Sequence, residues 1–291
     1  MVNVSQIHYI VLGAKDLDAW EKFATQGIGL GVSERTDKVL HLRCDRWLSR
    51  LQIERSDDED LLAIGWGGLT RESELDVLAE QLKAAGRPFD DVRGDDARAR
   101  KAIRLIRVRD DDDIVHEIAW GLAVDDKTPF VSTVAVDGFR SNELGLGHVV
   151  LSVKDLAASQ RFLIDVLGHK VTSHLFIGPH EAVFLRCNPR HHSVALSVSH
   201  RPKKLQHLQI EYNSMDDLGR ALDRAQDLPL EFVATLGKHV SDWVTSFYVR
   251  APSNITVELA WGARLLADDE PTEYETFTGS VWGHREGMEN A

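Results

Sequence analysis

Histidines are distributed unevenly along this chain of 291 residues. Of the thirteen histidines, three lie in the first 145 residues and ten lie after them. Histidine is the commonest metal ligand and a frequent general acid or base near neutral pH. The imbalance predicts that any metal or acid–base chemistry belongs to the second half of the chain.

An internal repeat makes the two halves comparable position by position. The segment YIVLGAKDLDAWEKF, which starts at Tyr9, matches HVVLSVKDLAASQRF, which starts at His148. HLRCD matches FLRCN further along, and HEIAWG matches VELAWG near the end of each half. Three matches in the same order, at offsets of 139, 143 and 141 residues, indicate duplication of one ancestral unit.

The comparison isolates candidate functional residues that only the second half carries. On the shared scaffold, several histidines and one tyrosine replace side chains of other types, and the first half is expected to be a structural remnant. The pairs are His148 with Tyr9, His207 with Ala63, His192 with Ser49, Tyr248 with Arg107, and Glu258 with Glu117.

Two histidines and one carboxylate on three predicted strands suit a single metal ion. The set His148, His207 and Glu258 leaves three neighbouring coordination positions open, as in non-haem Fe(II) oxygenases. The alternation of HLQIEY points His207 to one face and Leu208 to the other. Each histidine alone is more typical of a hydrogen-bonded core residue than of a metal ligand. Glu258 alone is weaker evidence still, because Glu117 survives in the half that lacks these histidines.

The same order of elements is predicted in both halves. A short apolar strand precedes an aspartate suited to capping a helix, Asp16 or Asp155, and alternating strands follow the helix. Each half contains two such units, so we predict an α+β fold of two tandem domains built from four βαβββ modules. The predicted boundaries are 1–125 for an N-terminal domain without a metal site, 126–143 for a linker and 144–291 for the catalytic domain with its tail.

Composition excludes several classes of protein. The net charge of -12 argues against nucleic acid as the main partner, because phosphate binding needs a basic face. The chain contains no run of 18 apolar residues, so no membrane span is predicted, and the N-terminus does not resemble a signal peptide. Two cysteines do not form a disulfide framework. We therefore expect a cytoplasmic protein without a membrane or nucleic-acid partner.

Several segments of the chain are similar to those of a known family: GLGHVVLSVKDL, FLRCNPRHHSVAL, HLQIEYNSMDDLGRALDRA, TLGKHVSDWVTSFYVRAPSNITVELAWGAR and VWGHRE. On these segments, and along nearly its whole length, the sequence resembles the two-domain type I extradiol catechol dioxygenases of the vicinal oxygen chelate superfamily. Closest in character are the dihydroxybiphenyl and trihydroxybiphenyl dioxygenases. The resemblance implies a curved mixed sheet around a central cavity in each domain.

The resemblance also implies roles for individual residues. His148, His207 and Glu258 match the iron ligands of the family, and His192 matches its acid–base histidine. The remaining matches are His239 and Tyr248, which hydrogen-bond the bound catecholate, and the pocket positions Val150, Phe184, Asp242 and Ser241. Ser241 stands where asparagine is common, from which we expect a change in pocket polarity. We expect His191 to be structural and to point away from His192, and His169 and His284 to be surface or loop residues.

The activity that the resemblance implies is extradiol ring cleavage, in which both atoms of O2 enter a catechol. A bicyclic catechol is favoured as substrate: 2,3-dihydroxybiphenyl, 2,2',3-trihydroxybiphenyl or 1,2-dihydroxynaphthalene. The stretch between His169 and Phe184 is short, so one wall of the pocket is expected to differ from that of many relatives. Iron is expected rather than manganese, although the same ligands accept either metal. The alternatives are a glyoxalase-type isomerase and a non-catalytic binding protein on the same scaffold, and a homo-oligomer is left open.

Overall fold

The protein is described by a computed structural model that covers residues 2–199 and 202–286. Eight strands and three helices make up the first half, and a π-helical turn, Phe23–Ile28, continues the first helix. The strands are β1 (Gln6–Ala14), β2 (Gly31–Arg35), β3 (Val39–Arg43), β4 (Leu51–Arg55), β5 (Leu61–Gly67), β6 (Phe89–Arg93), β7 (Arg104–Arg109) and β8 (Val115–Trp120). The helices are α1 (Leu17–Lys22), α2 (Ser73–Ala84) and α3 (Gly94–Ala99).

The second half repeats this order and adds two short strands from the tail. Its strands are β9 (Val149–Val153), β10 (Lys170–Ile177), β11 (His180–Arg186), β12 (Val194–Val198), β13 (Leu205–Tyr212), β14 (Phe232–His239), β15 (Thr245–Ala251), β16 (Ile255–Trp261), β17 (Tyr274–Thr276) and β18 (Ser280–Trp282). Its helices are α4 (Leu156–Asp165) and α5 (Met215–Asp227). None of the helices in the described part of the chain is long and apolar enough to span a membrane.

Each half forms one mixed sheet, and the predicted α+β fold of four βαβββ modules is confirmed. The orders are β2-β3-β4-β1-β5-β8-β7-β6 and β17-β10-β11-β12-β9-β13-β16-β15-β14-β18. In both sheets the two modules join through their first strands, which pair antiparallel as β1 with β5 and as β9 with β13. The first strand of each module also pairs parallel with the last strand of the same module.

The predicted helix caps are present in both halves. The Asp16 carboxylate accepts hydrogen bonds from the backbone N–H groups of Asp18 and Ala19, at 3.0 and 2.9 Å. Asp155 accepts one from Ala158 at 3.0 Å. Such bonds satisfy backbone donors that have no partner inside the helix, so these helices begin where the aspartates stand.

Between the two sheets the chain runs through 126–143, the predicted linker. Its described structure comprises an isolated bridge between Phe139 and Tyr212 and the start of a 3₁₀ turn, Asn142–Leu144. The tail packs back on the second half as expected, since β17 pairs with β10 and β18 with β14. The domain boundaries stay a prediction, and residues 287–291 lie outside the described part.

Candidate active site

The three predicted metal ligands meet at the centre of the second sheet. His148 directly precedes β9, His207 lies in β13 and Glu258 lies in β16, which are neighbouring strands. The His148 Nε2 is 3.2 Å from the His207 Nε2 and 3.2 Å from the Glu258 Oε2. The His207 Nε2 is 3.5 Å from the same carboxylate oxygen. Ligand atoms about 2.1 Å from one first-row metal ion stand roughly 3.0–3.4 Å apart, so this spacing fits one ion.

The local fold explains why these side chains converge. In β13, Leu208 and Ile210 are fully buried in the hydrophobic core, so alternation turns His207 to the opposite face of the strand. Gly147 has a φ of 30° and packs so closely on β13 that a Cβ would lie 2.0 Å from the Gln209 carbonyl oxygen. Glycine at this position therefore lets the chain bring His148 close to β13.

The electrostatics of the three residues suit a cation. Glu258 is 0% exposed and its Oε1 has no hydrogen-bond partner. Burial would raise the pKa of Glu258, but hydrogen bonds and charges from His148 and His239 outweigh burial and hold this pKa well below its ordinary value. Burial lowers the pKa of His207 to about 3, which leaves the neutral imidazole that ligates metals. A buried carboxylate beside the neutral imidazole of His207 and the ring of His148 is a donor set that fits a cation.

His192 lies beside this group, in the loop between β11 and β12. Its ring centroid is 3.9 Å from that of His148, and Phe184 meets its ring edge-on at 4.8 Å. Burial and the neighbouring His148 hold the pKa of His192 well below its ordinary value. Because Asp242 Oδ2 is 4.0 Å from His192 Nδ1, His148, His192 and Asp242 form a second group with metal-ligating atoms, although Asp242 makes no hydrogen bond to the histidine.

His239 and Tyr248 form a hydrogen-bonded pair on the opposite side of the carboxylate. The His239 Nε2 is 2.7 Å from the Tyr248 hydroxyl and 3.5 Å from Glu258 Oε1. Its Nδ1 donates to the Gly279 carbonyl at 2.9 Å. Burial would lower the pKa of His239, but Glu258 and Asp242 raise it to about 9. The pair is therefore a positive donor group beside the metal-ligand atoms.

A cavity of about 300 Å³ opens onto these groups. All ten predicted site residues line it: His148, His207, Glu258, His192, His239, Tyr248, Val150, Phe184, Ser241 and Asp242. Residues that the sequence did not single out complete the walls, and they include Leu175, Ile177, Ala182 and Ala195. The sequence therefore located the cavity correctly, whereas the roles of its residues remain predictions.

Three histidines differ from the expectation. His169 is 3% exposed and is therefore not a surface residue. His191 does not point away from His192: both are buried, and their Nδ1 atoms are 3.0 Å apart. His284 is not a simple surface residue, because its ring lies against that of His239 with centroids 4.1 Å apart. His191 lies in the RHH run and His284 in the terminal VWGHRE, but neither motif indicates which side chain its histidine contacts.

Among its described residues, the first half holds a carboxylate at the equivalent place but no metal-ligand set. Glu117 accepts hydrogen bonds from the Tyr9 hydroxyl at 2.6 Å and from Arg100 Nε at 2.9 Å. Arg107 binds its other oxygen through Nε and Nη2, at 2.9 and 2.7 Å. Two guanidinium groups thus neutralise the charge that the second half leaves for a cation.

Comparisons with known proteins identify the family of this chain. Residues 145–259 match the model of the Glyoxalase/Bleomycin resistance protein/Dioxygenase superfamily, and residues 7–55 match that of the Dihydroxybiphenyl dioxygenase BphC D1. The biphenyl-2,3-diol 1,2-dioxygenase of Paraburkholderia xenovorans (strain LB400) is 32% identical over 295 residues, which cover 100% of this chain and 98% of that protein. The iron-dependent extradiol dioxygenase of Rhodococcus jostii (strain RHA1) is also 32% identical, over 97% of each chain.

Solved structures lead to the same family. A crystal structure of catechol 2,3-dioxygenase superposes with a TM-score of 0.92 at 32% identity, covering 100% of this chain and 97% of that one. The chain therefore belongs to the extradiol dioxygenases of this superfamily. It is a ring-cleaving dioxygenase, as its resemblance implied. The Mn(II)-bound glyoxalase of Novosphingobium aromaticivorans has a TM-score of 0.79 at 22% identity, covering 96% of this chain and 89% of that one, a likeness of fold alone.

Proposed function

We propose that this dioxygenase uses Fe(II), held by His148, His207 and Glu258, to cleave a bicyclic catechol with O2 as co-substrate. The observation that carries the proposal is the convergence of these three ligands on a cavity of about 300 Å³ that acid–base groups also line. Bound iron would act as a Lewis acid on the catechol oxygens and as a template that brings O2 beside the ring. Iron is preferred to manganese because a relative named as iron-dependent is 32% identical.

The walls of the cavity support a substrate with two rings. Val150, Phe184 and Leu175 supply apolar surface for an aromatic ring. Ala182 and Ala195 are small, so they leave room beyond the ring that carries the hydroxyl groups. A cavity of about 300 Å³ is at the small end of ligand pockets, which suits one compact ligand of this kind.

The surrounding side chains can handle the two protons of a catechol. Tyr248 and His239 are joined at 2.7 Å, and we assign them to hydrogen-bond the oxygen that is deprotonated first. His192 is held neutral at the opposite side, so it can accept the second proton and return it when the ring opens. Asp242 and Ser241 complete the polar part of the wall.

O2 uptake tests the proposal directly. The protein is loaded anaerobically with Fe(II), or with Mn(II) as the control, and mixed with 2,3-dihydroxybiphenyl or 3-methylcatechol. We expect one O2 per catechol, a yellow ring-opened product, and a higher kcat/KM for the bicyclic substrate. A higher value for 3-methylcatechol would refute the substrate assignment. Absence of uptake with confirmed bound iron and several catechols would refute ring cleavage and favour an isomerase.

Location and assembly follow from the sequence only. The cytoplasmic location and the possible homo-oligomer remain predictions. Size-exclusion chromatography with light scattering would give the oligomeric state of the full chain.

A further inference from the structure

A chain of hydrogen bonds leads from His192 to the tail strand β17. The Nδ1 of His192 is 3.0 Å from the Nδ1 of His191. The Nε2 of His191 is 2.7 Å from the Tyr274 hydroxyl and 3.2 Å from the Ser173 hydroxyl. The Tyr274 hydroxyl in turn donates to the backbone carbonyl of Ser241 at 3.1 Å. The chain thus connects the proposed acid–base histidine with a half-buried tyrosine.

The outer end of this chain determines which atoms carry protons. A carbonyl oxygen can only accept, so the Tyr274 proton goes to Ser241 and the phenol oxygen accepts from His191 Nε2–H. The reverse arrangement, in which Tyr274 donates to His191, would leave the buried Ser241 carbonyl without this donor. Buried carbonyl groups are rarely left unpaired, which favours the first arrangement.

His191 can pass the donor-to-acceptor direction of these hydrogen bonds on to His192 because its ring is neutral. Burial, helped by the positive charge of Arg264, lowers the pKa of His191 to about 3. A neutral imidazole carries one N–H, so a ring that donates from Nε2 must accept at Nδ1. The only donor that His192 can offer to it is its own Nδ1–H. The nitrogen of His192 left for a ligand in the cavity is then an unprotonated Nε2.

We propose that His191 and Tyr274 are positioning residues that fix His192 in the tautomer with its proton on Nδ1, so that Nε2 serves as the base. The inference rests on the role proposed above for His192. It gives the tail strand β17 a function in the site, because Tyr274 is the first residue of that strand. Neither residue touches the catechol cavity, so both act through His192.

Imidazole ¹⁵N NMR of the full chain tests the tautomer without turnover. Spectra are recorded for the metal-free and the diamagnetic Zn(II)-loaded protein, and His192→Gln assigns the His192 signals. We expect protonated Nδ1 and unprotonated Nε2 in the parent chain. In Tyr274→Phe only the Ser173 hydroxyl remains at His191 Nε2, and because a hydroxyl can donate or accept, a mixture of tautomers is expected.

Kinetics give the second readout. Loss of one hydrogen bond of this kind should lower kcat roughly 3- to 10-fold in Tyr274→Phe, with KM and iron content unchanged. Tyr9→Phe is the matched control: it removes another buried tyrosine hydroxyl, which donates to the Glu117 carboxylate of the first half at 2.6 Å, and should change neither tautomer nor kcat.

The outcomes separate this inference from the proposed function. A parent chain with the His192 proton on Nε2, or a Tyr274→Phe variant with unchanged tautomer and kcat, overturns the inference. If the tautomer shifts as expected but no catechol is cleaved by the iron-loaded parent chain, the positioning role stands and the proposed function fails.

Discussion

Glu258 and Glu117 occupy equivalent places in the two halves, and exchanging each for glutamine should affect metal binding differently. Glu258 lies among histidines, with the Nε2 atoms of His148 and His239 at 3.2 and 3.5 Å from its oxygens, whereas Glu117 is bound by two arginines and a tyrosine. We predict that Glu258→Gln loses metal. Glu117→Gln should keep metal and turnover but unfold more easily.

The magnitudes follow from the partners of each carboxylate. In Glu117→Gln the amide NH₂ must face an arginine, and the less costly orientation gives up the bond from Arg100, which keeps Glu54 as its second partner. Arg107 is 31% exposed, so solvent weakens its contribution to the stability of the ion pair with Glu117. We expect Glu117→Gln to lower the free energy of unfolding by about 2–3 kcal/mol. Glu258→Gln gives up the hydrogen bonds and charges of His148 and His239 that outweigh the burial of this carboxylate, so the metal-free variant should also unfold more easily than the parent chain.

Loss of a direct ligand should weaken metal binding by more than the 10–100-fold typical of changes around a metal site. Bound iron is measured after anaerobic loading and desalting, and unfolding of the metal-free variants is followed in urea. The reasoning is refuted if Glu258→Gln retains stoichiometric iron. It is equally refuted if Glu117→Gln loses iron, or if Glu117→Gln unfolds at the same urea concentration as the parent chain.

Three further predictions concern single positions. His192→Ala should retain iron but lose 10²–10⁴-fold in kcat, the usual contribution of a general acid–base group, and full turnover in O2 uptake would contradict this role. Ala195→Phe fills part of the cavity wall and should lower kcat/KM for 2,3-dihydroxybiphenyl at least 10-fold more than for 3-methylcatechol; equal losses would exclude Ala195 from the pocket for the second ring. Burial lowers the pKa of His169 to about 3. Below pH 6.5 this histidine therefore binds a proton in the unfolded chain but not in the folded chain, and the free energy of unfolding falls by up to about 1.4 kcal/mol per pH unit. His169→Leu should flatten that fall between pH 6.5 and 5 in urea titrations, and an unchanged slope would mean that another group causes it.

Much of the fold was predictable because the duplication repeats every local signal. The aspartate caps, the alternating strands and the apolar helix faces occur twice at nearly one offset, so an ambiguous segment in one half is interpreted by its partner. The elements outside the repeated pattern, α3, β17 and β18, were not predicted, and the reasons are physical. Helix α3 spans six residues and begins at Gly94, which has a φ of 66° and no side-chain cap. Strands β17 and β18 span three residues each, too few for a periodic pattern.

The site was predictable at the level of residue types and not at the level of contacts. Comparison of the halves picked out His148 and His207 because the first half lacks them. His169 was placed wrongly because its burial depends on the other half: its ring meets Trp66 edge-on with centroids 4.8 Å apart. The position of the His284 ring depends on the glycine at 237, because a Cβ there would lie 2.5 Å from that ring. Such close approaches between distant segments leave no periodic trace in the sequence.

The half without a metal-ligand set supports the half that has one. The Ser159 hydroxyl of α4 donates to Asp112 of the first half at 2.7 Å, and Tyr212 of β13 donates to the carbonyl of Ile28 at 2.9 Å. Because β13 also carries His207, the first half helps to fix the position of a strand that supplies one of the proposed metal ligands. The first sheet, in which arginines bind Glu117, thus helps to hold the second sheet in place.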